Sequence, residues 1–187
     1  MAIRLIGFGD SICTLRVITC LNELGLSYKL TPQAGGYAGL KNKDYLANKH
    51  PFGKVPVLYD DNFKITESPG LVEQLISYES SYFDSPVSKI LFQEIYAKYM
   101  GKTSDPVVVK RAREKTEGVL NVYDKLLEGK EYLNGKFSLA ELFHYPNTYF
   151  AHIANHSDLW DKKSNVKKWW DGLNNRDAWK KSLEDIK

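Results

Sequence analysis

Residues 50–69, HPFGKVPVLYDDNFKITESP, constrain the fold of this 187-residue chain more than any other stretch. The β-branched and apolar residues at 55–58 predict a short strand. Asp and Asn residues at 60–62 predict a tight turn, because their side chains hydrogen-bond to the local backbone. At 63–66 apolar residues alternate with polar ones, which predicts a second strand with one buried face. The stretch therefore predicts a loop followed by two short strands that a turn joins.

Two prolines define this stretch further. Pro56 lies inside the first predicted strand, where a residue without an N–H cannot donate a ladder hydrogen bond. The Val55–Pro56 bond is therefore a candidate cis peptide. Ser68 suits a helix N-cap and Pro69 suits the first helical turn, so we predict a helix that begins here.

The residues before this stretch predict a strand, a helix and a weaker strand. Residues 3–8 predict the first strand, and residues 15–24 carry apolar side chains at helical spacing, with Gly25 as a C-terminal stop. Residues 28–31 predict the weaker strand, and a glycine-rich segment follows. With the later strands and helix, the order is β-α-β-(α)-β-β-α, which is the order of a thioredoxin-like domain.

Ser11 is the residue that we expect to carry chemistry. It lies between the first strand and the first helix, where helical N–H groups and the helix dipole favour an anion. A free thiol with a pKa of about 8.5 is mostly protonated at pH 7. A hydroxyl that donates to the sulfur at such a place would stabilise the thiolate. The alternative is that Ser11 only caps the helix.

The two cysteines, Cys13 and Cys20, exclude a disulfide framework and fit a reducing cytosol. Cys13 lies near the helix N-terminus, where a lowered pKa would permit mixed-disulfide chemistry. We favour packing roles for both, with Cys20 in the core. Whether Cys13 contributes thiol chemistry stays open.

Two separated motifs and the segment around Ser11 resemble the phi-type glutathione transferases. His50-Pro51-Phe52-Gly53-Lys54-Val55-Pro56 is similar to the family's Asn-Pro-Phe-Gly-Gln/Lys-Val-Pro loop, and Glu67-Ser68 to the pair that opens its next helix. Residues 11–17 match Ser-x-x-Thr-x-Arg-Val, in which the serine activates glutathione. Phe8 at the end of the first strand disfavours the tyrosine-activated classes.

The resemblance implies a binding site for glutathione, position by position. Val55 would pair its backbone with the cysteinyl part, Glu67 would bind the γ-glutamyl ammonium and Ser68 the γ-glutamyl carboxylate. Lys41 and Lys54 are candidates for the glycyl carboxylate. Pro69 departs from the family, which has arginine after Glu-Ser. The implied glutathione-binding residues are Lys41, Lys54, Val55, Pro56, Glu67 and Ser68.

The C-terminal half predicts an all-α domain. Asp105-Pro106 begins a long helix, with apolar positions at 109, 112, 116, 119, 123 and 126, and Ser138 with Glu141 forms a capping box. We expect the tryptophans of this half to be core residues. The resemblance implies domains at 1–79 and 85–187. By comparison with the family, roughly two to three dozen residues are absent between the helix that begins at Ser68 and the helix predicted at 87–100.

The absent residues bear on the second substrate and on assembly. In the family, they supply the interdomain linker, part of the dimer face and one wall of the site for the electrophile. Phe92 and Tyr96 are candidates to line that site, and a homodimer stays open. His152 and His156 share a helical face, but without a third ligand we expect no metal site.

Composition excludes other classes of protein. A dispersed net charge of +3 argues against a nucleic-acid surface, and no apolar run approaches the roughly 18 residues of a membrane span. The first residues lack the apolar region of a secretory signal, so we expect a cytoplasmic protein.

Three functions therefore remain. The first is a glutathione transferase that activates the thiol for attack on a bulky hydrophobic electrophile. The second is a glutathione-dependent cis/trans olefin isomerase of secondary metabolism, acting for example on a polyketide through reversible thiol addition. The third is a non-catalytic binding protein on the same fold.

Overall fold

The computed structural model describes residues 3–50, 53–59 and 71–187, without the side chains of 71–73. The chain forms two compact units. One comprises Met1–Thr66 with Arg176–Lys187, and the other comprises Glu67–Asn175. The domain bounds 1–79 and 85–187 stay predictions.

A three-stranded sheet in the order β2-β1-β3 is the centre of the first unit. The strands are β1 (Ile3–Ile6), β2 (Tyr28–Thr31) and β3 (Val57–Tyr59). β1 pairs with β2 in parallel and with β3 in antiparallel orientation, in a register that places Leu5 between Leu30 and Leu58. Leu5 is fully buried, so the central strand β1 contributes to the core of this unit. The predicted strand at 63–66 lies outside the described residues.

Four helices complete the described part of this unit. They are α1 (Ile12–Glu23), α2 (Gly36–Gly39), α3 (Lys43–Asn48) and α11 (Asp177–Glu184). α1 buries Leu15, Ile18 and Leu21, and Gly25 adopts a φ of 66° just after its end, as a C-terminal stop requires. α11 returns from the end of the chain to pack on α1.

The described part of the second unit consists of helices and the loops that connect them. Its first 29 described residues form one helical run of α4 (Leu71–Tyr78), a π turn, α5 (Asp84–Leu91), a second π turn and α6 (Ala97–Tyr99). The π turns comprise Glu79–Phe83 and Phe92–Tyr96. The later helices are α7 (Pro106–Leu126), α8 (Leu139–Ile153), α9 (Asp158–Asp161) and α10 (Ser164–Asn174).

Helix caps and aromatic packing hold this unit together. Asp105 caps α7 with Pro106 in its first turn, and Ser138 with Glu141 forms the predicted capping box on α8. Both caps are confirmed. The tryptophans are also confirmed as core residues, because each is at most 5% exposed: Trp160, Trp169, Trp170 and, on α11 in the first unit, Trp179.

Two positions of the predicted α7 stripe depart from it. Val119 and Leu126 are only half-buried, whereas Leu120 is fully buried and was not in the predicted set. Their side chains lie at the edge of the packed face and line a groove between α7 and the run of α4, the first π turn and α5.

Among the described helices, none combines the length and the apolar character that a membrane span requires.

Candidate functional site

Ser11 lies at the point where the chain leaves β1 and enters α1. Its backbone N–H donates to the Phe8 carbonyl at 3.0 Å, and its extended φ and ψ of −85° and 118° are those of an N-cap. Its Oγ accepts a hydrogen bond from the Thr14 N–H at 3.3 Å. An oxygen that accepts from the helix keeps its own proton, which can be donated to a further group. Capping and donation are therefore compatible roles for one hydroxyl.

The loop before β3 is held in place by contacts that the sequence pattern did not predict. The Gly53 N–H donates to the His50 carbonyl at 2.9 Å, and Gly53 adopts a φ of 60°. A Cβ at this position would clash with the Leu40 carbonyl, so only glycine fits. The buried Tyr45 donates its hydroxyl to the Lys54 carbonyl at 2.7 Å. These bonds hold the loop that leads into Pro56.

The Val55–Pro56 bond is cis, as predicted. Val55 is half-buried and packs on the cluster of Ile6, Leu40 and Tyr45, which Phe8 also contacts. Since the Phe8 carbonyl accepts from Ser11, one core supports both Ser11 and Val55. β3 follows Pro56 and pairs with β1, so the cis proline directly precedes the sheet.

Two lysines accompany this loop. The Lys41 ammonium nitrogen comes within 3.1 Å of the position that a Cβ of Gly53 would take, and Lys54 is exposed on the loop itself. The structure thus brings both predicted cations to the segment before Pro56. A carboxylate beside this loop would meet two positive charges.

Aromatic contacts next to Ser11 were missed in the sequence. The rings of Phe8 and Tyr37 lie 4.3 Å apart, and the Tyr37 hydroxyl donates to the Asp10 carboxylate at 2.8 Å. Tyr37 is 51% exposed, so this aromatic surface faces solvent beside the Ser11 loop. A tyrosine within the glycine-rich segment was the only signal in the sequence, and it does not specify a neighbour.

The remaining predicted site residues lie either outside the described residues or in the second unit. Glu67 and Ser68 lie outside the described residues, as does Pro69, the residue that differs from the family pattern. Phe92 and Tyr96 lie in the second unit, at the two ends of its second π turn. Phe92 is 41% exposed and Tyr96 is half-buried. Their role stays a prediction.

The prediction that the cysteines pack in the interior is wrong for Cys13, which is exposed on the first turn of α1. Cys20 is half-buried rather than part of the core, because it lies at the edge of the α1 face that buries Leu21. Burial still raises the pKa of the Cys20 thiol, and the Glu23 carboxylate raises it further. Neither thiol forms a disulfide.

The histidines of the second unit take part in protein contacts. His144 is buried, with Nδ1 2.6 Å from the Ala140 carbonyl and Nε2 3.1 Å from the Tyr123 hydroxyl. His156 Nδ1 accepts from Arg113 at 2.5 Å, and Arg113 also binds Asp158 at 2.6 Å. Among the described residues, no three His, Cys, Asp or Glu side chains are grouped as a metal site would require.

Family models match both parts of the chain. Residues 5–81 match the model described as glutathione S-transferase, N-terminal domain, and residues 88–177 match the model described as glutathione S-transferase, C-terminal domain. A glutathione S-transferase of Arabidopsis thaliana is 32% identical over 199 positions, which cover 91% of this chain and 90% of the relative.

A second relative shows a difference in length. A glutathione S-transferase of Nicotiana tabacum is 28% identical over 212 positions that cover 100% of this chain and 99% of the relative. The alignment is 25 positions longer than the 187 residues of this chain, so those positions have no counterpart here. Their number agrees with the two to three dozen absent residues that were predicted.

Solved structures confirm the predicted fold class, a thioredoxin-like N-terminal domain with a helical C-terminal domain. A glutathione transferase of Populus trichocarpa superposes with a TM-score of 0.89 at 29% identity and covers 100% of both chains. Glutathione S-transferase I from maize, in complex with an atrazine glutathione conjugate, superposes with a TM-score of 0.89 at 29% identity. That match covers 100% of this chain and 98% of the maize chain.

Proposed function

Because the chain belongs to the phi class of the glutathione S-transferases, we propose that it binds glutathione beside Ser11 and activates the thiol for attack on a bulky hydrophobic electrophile. The observation that carries this proposal is the state of the Ser11 hydroxyl. Its oxygen accepts from the Thr14 N–H, so its own proton is left to donate to a sulfur at the start of α1.

The physical effect of Ser11 is a shift of the thiol equilibrium. A hydrogen bond donated to sulfur stabilises the thiolate more than the thiol, and the N-terminus of α1 adds a favourable dipole. A pKa lowered by about two units corresponds to about 2.7 kcal/mol of preferential thiolate stabilisation. The bound tripeptide supplies the nucleophile, and its S–H proton goes to solvent. The sulfur lone pair forms the bond to the electrophilic carbon while the bond from that carbon to its leaving group breaks. In a conjugated olefin the π bond breaks instead, and the adjacent carbon takes up a proton.

The described loop supplies the proposed glutathione cradle. Val55, just before the cis proline, would pair its backbone with the cysteinyl part, while Lys41 and Lys54 would bind the glycyl carboxylate. Glu67 and Ser68 complete the proposal at the γ-glutamyl end, on the strength of the sequence motif alone. Phe92 and Tyr96 are the proposed contacts of the electrophile.

Three substitutions at Ser11 separate catalysis from helix capping. Ser11→Ala removes both the cap and the donor, Ser11→Thr keeps both, and Ser11→Asp keeps the cap but offers a negative charge without a proton. We expect kcat/KM for a model electrophile to fall by roughly 10- to 100-fold in Ser11→Ala and further in Ser11→Asp, because the thiolate is destabilised. Ser11→Thr should stay within a few-fold of the natural protein.

The readout is the thiolate absorbance near 240 nm of bound glutathione, titrated against pH in each variant. The thiol pKa should rise in Ser11→Ala and rise most in Ser11→Asp. The unfolding temperature of Ser11→Asp should nevertheless equal that of the natural protein, because aspartate still caps α1. If the thiol pKa follows the thermal stability of the variants instead of their donor capacity, Ser11 is only a cap.

The shorter chain favours a second candidate, a glutathione-dependent cis/trans isomerase of secondary metabolism. Twenty-five aligned positions of the tobacco enzyme are absent here, and a site with less wall would admit a larger olefin such as a polyketide. Thiolate addition to a conjugated olefin, bond rotation and elimination return glutathione unchanged. Measuring glutathione consumed against isomer formed decides between the candidates, because one-to-one consumption excludes the isomerase.

A non-catalytic binding protein is the remaining alternative. Such a protein would bind glutathione without the Ser11-dependent shift in thiol absorbance. The two unpaired cysteines support the reducing, cytoplasmic compartment that we propose for either enzyme, and a homodimer remains part of the proposal.

A further inference from the structure

The turn that leads into Ser11 presents a carboxylate to solvent. The Phe8 carbonyl accepts the Ser11 N–H at 3.0 Å across this turn, whose central residues are Gly9 and Asp10. Asp10 is exposed, and the side chain that caps α1 is that of Ser11. Capping of the helix therefore does not account for a carboxylate at position 10.

Tyr37 orients this carboxylate from a distant part of the chain. Its hydroxyl donates to Asp10 Oδ1 at 2.8 Å, although the two residues are 27 positions apart. A carboxylate offers about four lone-pair sites to donors, and this hydrogen bond uses one of them. Asp10 is thus held in place beside Ser11 and keeps most of its capacity to accept from a ligand.

The described protein supplies no counter-ion to Asp10. Other aspartates have one: Asp158 pairs with Arg113 at 2.6 Å, and Asp185 pairs with Lys181 at 2.8 Å. Among the residues that the structure describes, no lysine, arginine or histidine forms such a pair with Asp10. Its negative charge is therefore open to a cation from outside the chain.

Two aromatic rings border the carboxylate. The ring centroids of Phe8 and Tyr37 lie 4.3 Å apart, with 42° between the ring planes. Phe8 is half-buried, and Tyr37 is 51% exposed. Aromatic faces attract cations, and clustered aromatic rings bind quaternary ammonium groups. Phe8, Asp10 and Tyr37 together form a surface that we call the Asp10 patch.

The charges proposed for the glutathione cradle have the opposite sign. Lys41 and Lys54 accompany the loop before Pro56, where they would bind the glycyl carboxylate. A cationic group attached to the glutathione sulfur would be attracted to the Asp10 patch and repelled by the two lysines. The distribution of charge in this unit therefore favours one orientation of a cationic electrophile.

We infer that the Asp10 patch selects electrophiles that carry a cationic group, such as a quaternary ammonium, near the carbon that the sulfur attacks. The cation would contact the rings of Phe8 and Tyr37 and place its charge beside Asp10. This inference rests on the proposed function, because it assigns a substrate class to the same Ser11 site. It adds a charge to an electrophile that apolar contacts alone would leave neutral.

Two acrylates of matched shape test the inference on the full chain. 2-(Acryloyloxy)ethyl-trimethylammonium carries the cation, and 3,3-dimethylbutyl acrylate has a carbon in place of the charged nitrogen. Their glutathione thioethers, prepared chemically, are titrated into the protein by calorimetry. We expect the natural protein to bind the cationic thioether roughly fivefold more tightly than the neutral one, with a preference that weakens as salt is added.

Turnover of the two acrylates provides a second measurement. Each kcat/KM is divided by the rate constant of the uncatalysed reaction with glutathione, which corrects for intrinsic reactivity. A change in the reactivity of the thiolate affects both acrylates alike, so their ratio reports the contact with the electrophile. We expect the cationic acrylate to be preferred by roughly fivefold here as well.

Three variants locate the preference. Asp10→Asn keeps an acceptor for Tyr37 but removes the charge, and it should reduce both ratios to about one. Asp44→Asn is the matched control, because it removes an exposed carboxylate from α3 in the same unit, and it should keep the preference. Tyr37→Leu removes the ring and should lower the preference about twofold or more. Circular dichroism verifies that each variant is folded.

The outcomes distinguish this inference from the proposed function. Equal Kd values of the two thioethers in the natural protein would overturn the inference and leave the proposed function intact. A preference that survives Asp10→Asn, or that Asp44→Asn abolishes equally, would also overturn it. Binding of neither thioether would contradict the proposed glutathione site, and the inference with it.

Discussion

Gly7, at the end of β1, controls the position of Ser11 through Thr14. A Cβ on Gly7 would lie 2.5 Å from Thr14 Oγ1 and 2.6 Å from its Cγ2. Both branches of the threonine are in the way, so rotation of its side chain gives no relief. Thr14 also donates its backbone N–H to Ser11, which means that a glycine four residues before the serine sets the first turn of α1.

We therefore expect Gly7→Ala to lower the free energy of unfolding by about 1–3 kcal/mol, the usual cost of overpacking. Urea unfolding followed by circular dichroism measures this change. Gly172→Ala is the control, because a Cβ at Gly172 in α10 meets no atom within 4 Å and should stabilise by up to about 1 kcal/mol. Equal effects of the two substitutions would contradict the steric argument.

At the scale of elements, the loop before β3 shows what the sequence could and could not predict. The cis proline and the N-cap at Ser11 follow from local residue chemistry, and both are present. The hydrogen bond from Tyr45 to the Lys54 carbonyl depends on how α3 packs, which no local pattern encodes. The same holds for the aromatic pair of Phe8 and Tyr37.

We expect Tyr45→Phe to loosen this loop while the sheet is retained. Loss of one buried hydrogen bond should cost about 1 kcal/mol of stability and raise the KM for glutathione several-fold, with little change in kcat. Tyr28→Phe is the matched control, since its hydroxyl donates to Asp185 at 2.5 Å in the same unit without contacting the loop. Steady-state kinetics with glutathione as the varied substrate measure both, and an equal KM in the two variants would refute the role of Tyr45.

The helices show a similar division. Short-range signals predicted the caps of α7 and α8, because a cap is decided by three or four adjacent residues. The same signals placed Val119 and Leu126 in the core, yet both are only half-buried. Helical spacing defines a stripe but not how far the neighbouring helix covers it. The π turns at 79–83 and 92–96 likewise have no local signature.

At the scale of the whole molecule, buried histidines make the stability depend on pH. Burial lowers the pKa of His152, and burial together with the Arg113 guanidinium lowers the pKa of His156. Glu94 and Asp158 act in the opposite direction on His156. The unfolded chain therefore binds more protons than the native chain below the ordinary histidine pKa of 6.5.

It follows that the stability contributed by these neutral imidazoles is complete above about pH 6.5 and is lost as the pH falls below it. We expect the free energy of unfolding to decrease between pH 7 and pH 5, and to decrease less in His156→Gln, which accepts from Arg113 without titrating. Urea unfolding at a series of pH values measures both slopes. The same slope in the variant and the natural protein would exclude His156 as a contributor.

The end of the chain is part of the unit that holds Ser11. Asn22 donates to Ser182 at 3.0 Å, Arg176 binds Glu23 at 2.7 Å, and a Cβ on Gly9 would come within 3.0 Å of the Ile186 side chain. During synthesis on the ribosome, the strands and α1 emerge first, but their packing is complete only once residues 176–187 have also emerged. The turn around Ser11 thus gains its full support late in synthesis, and products truncated before residue 176 lack this support.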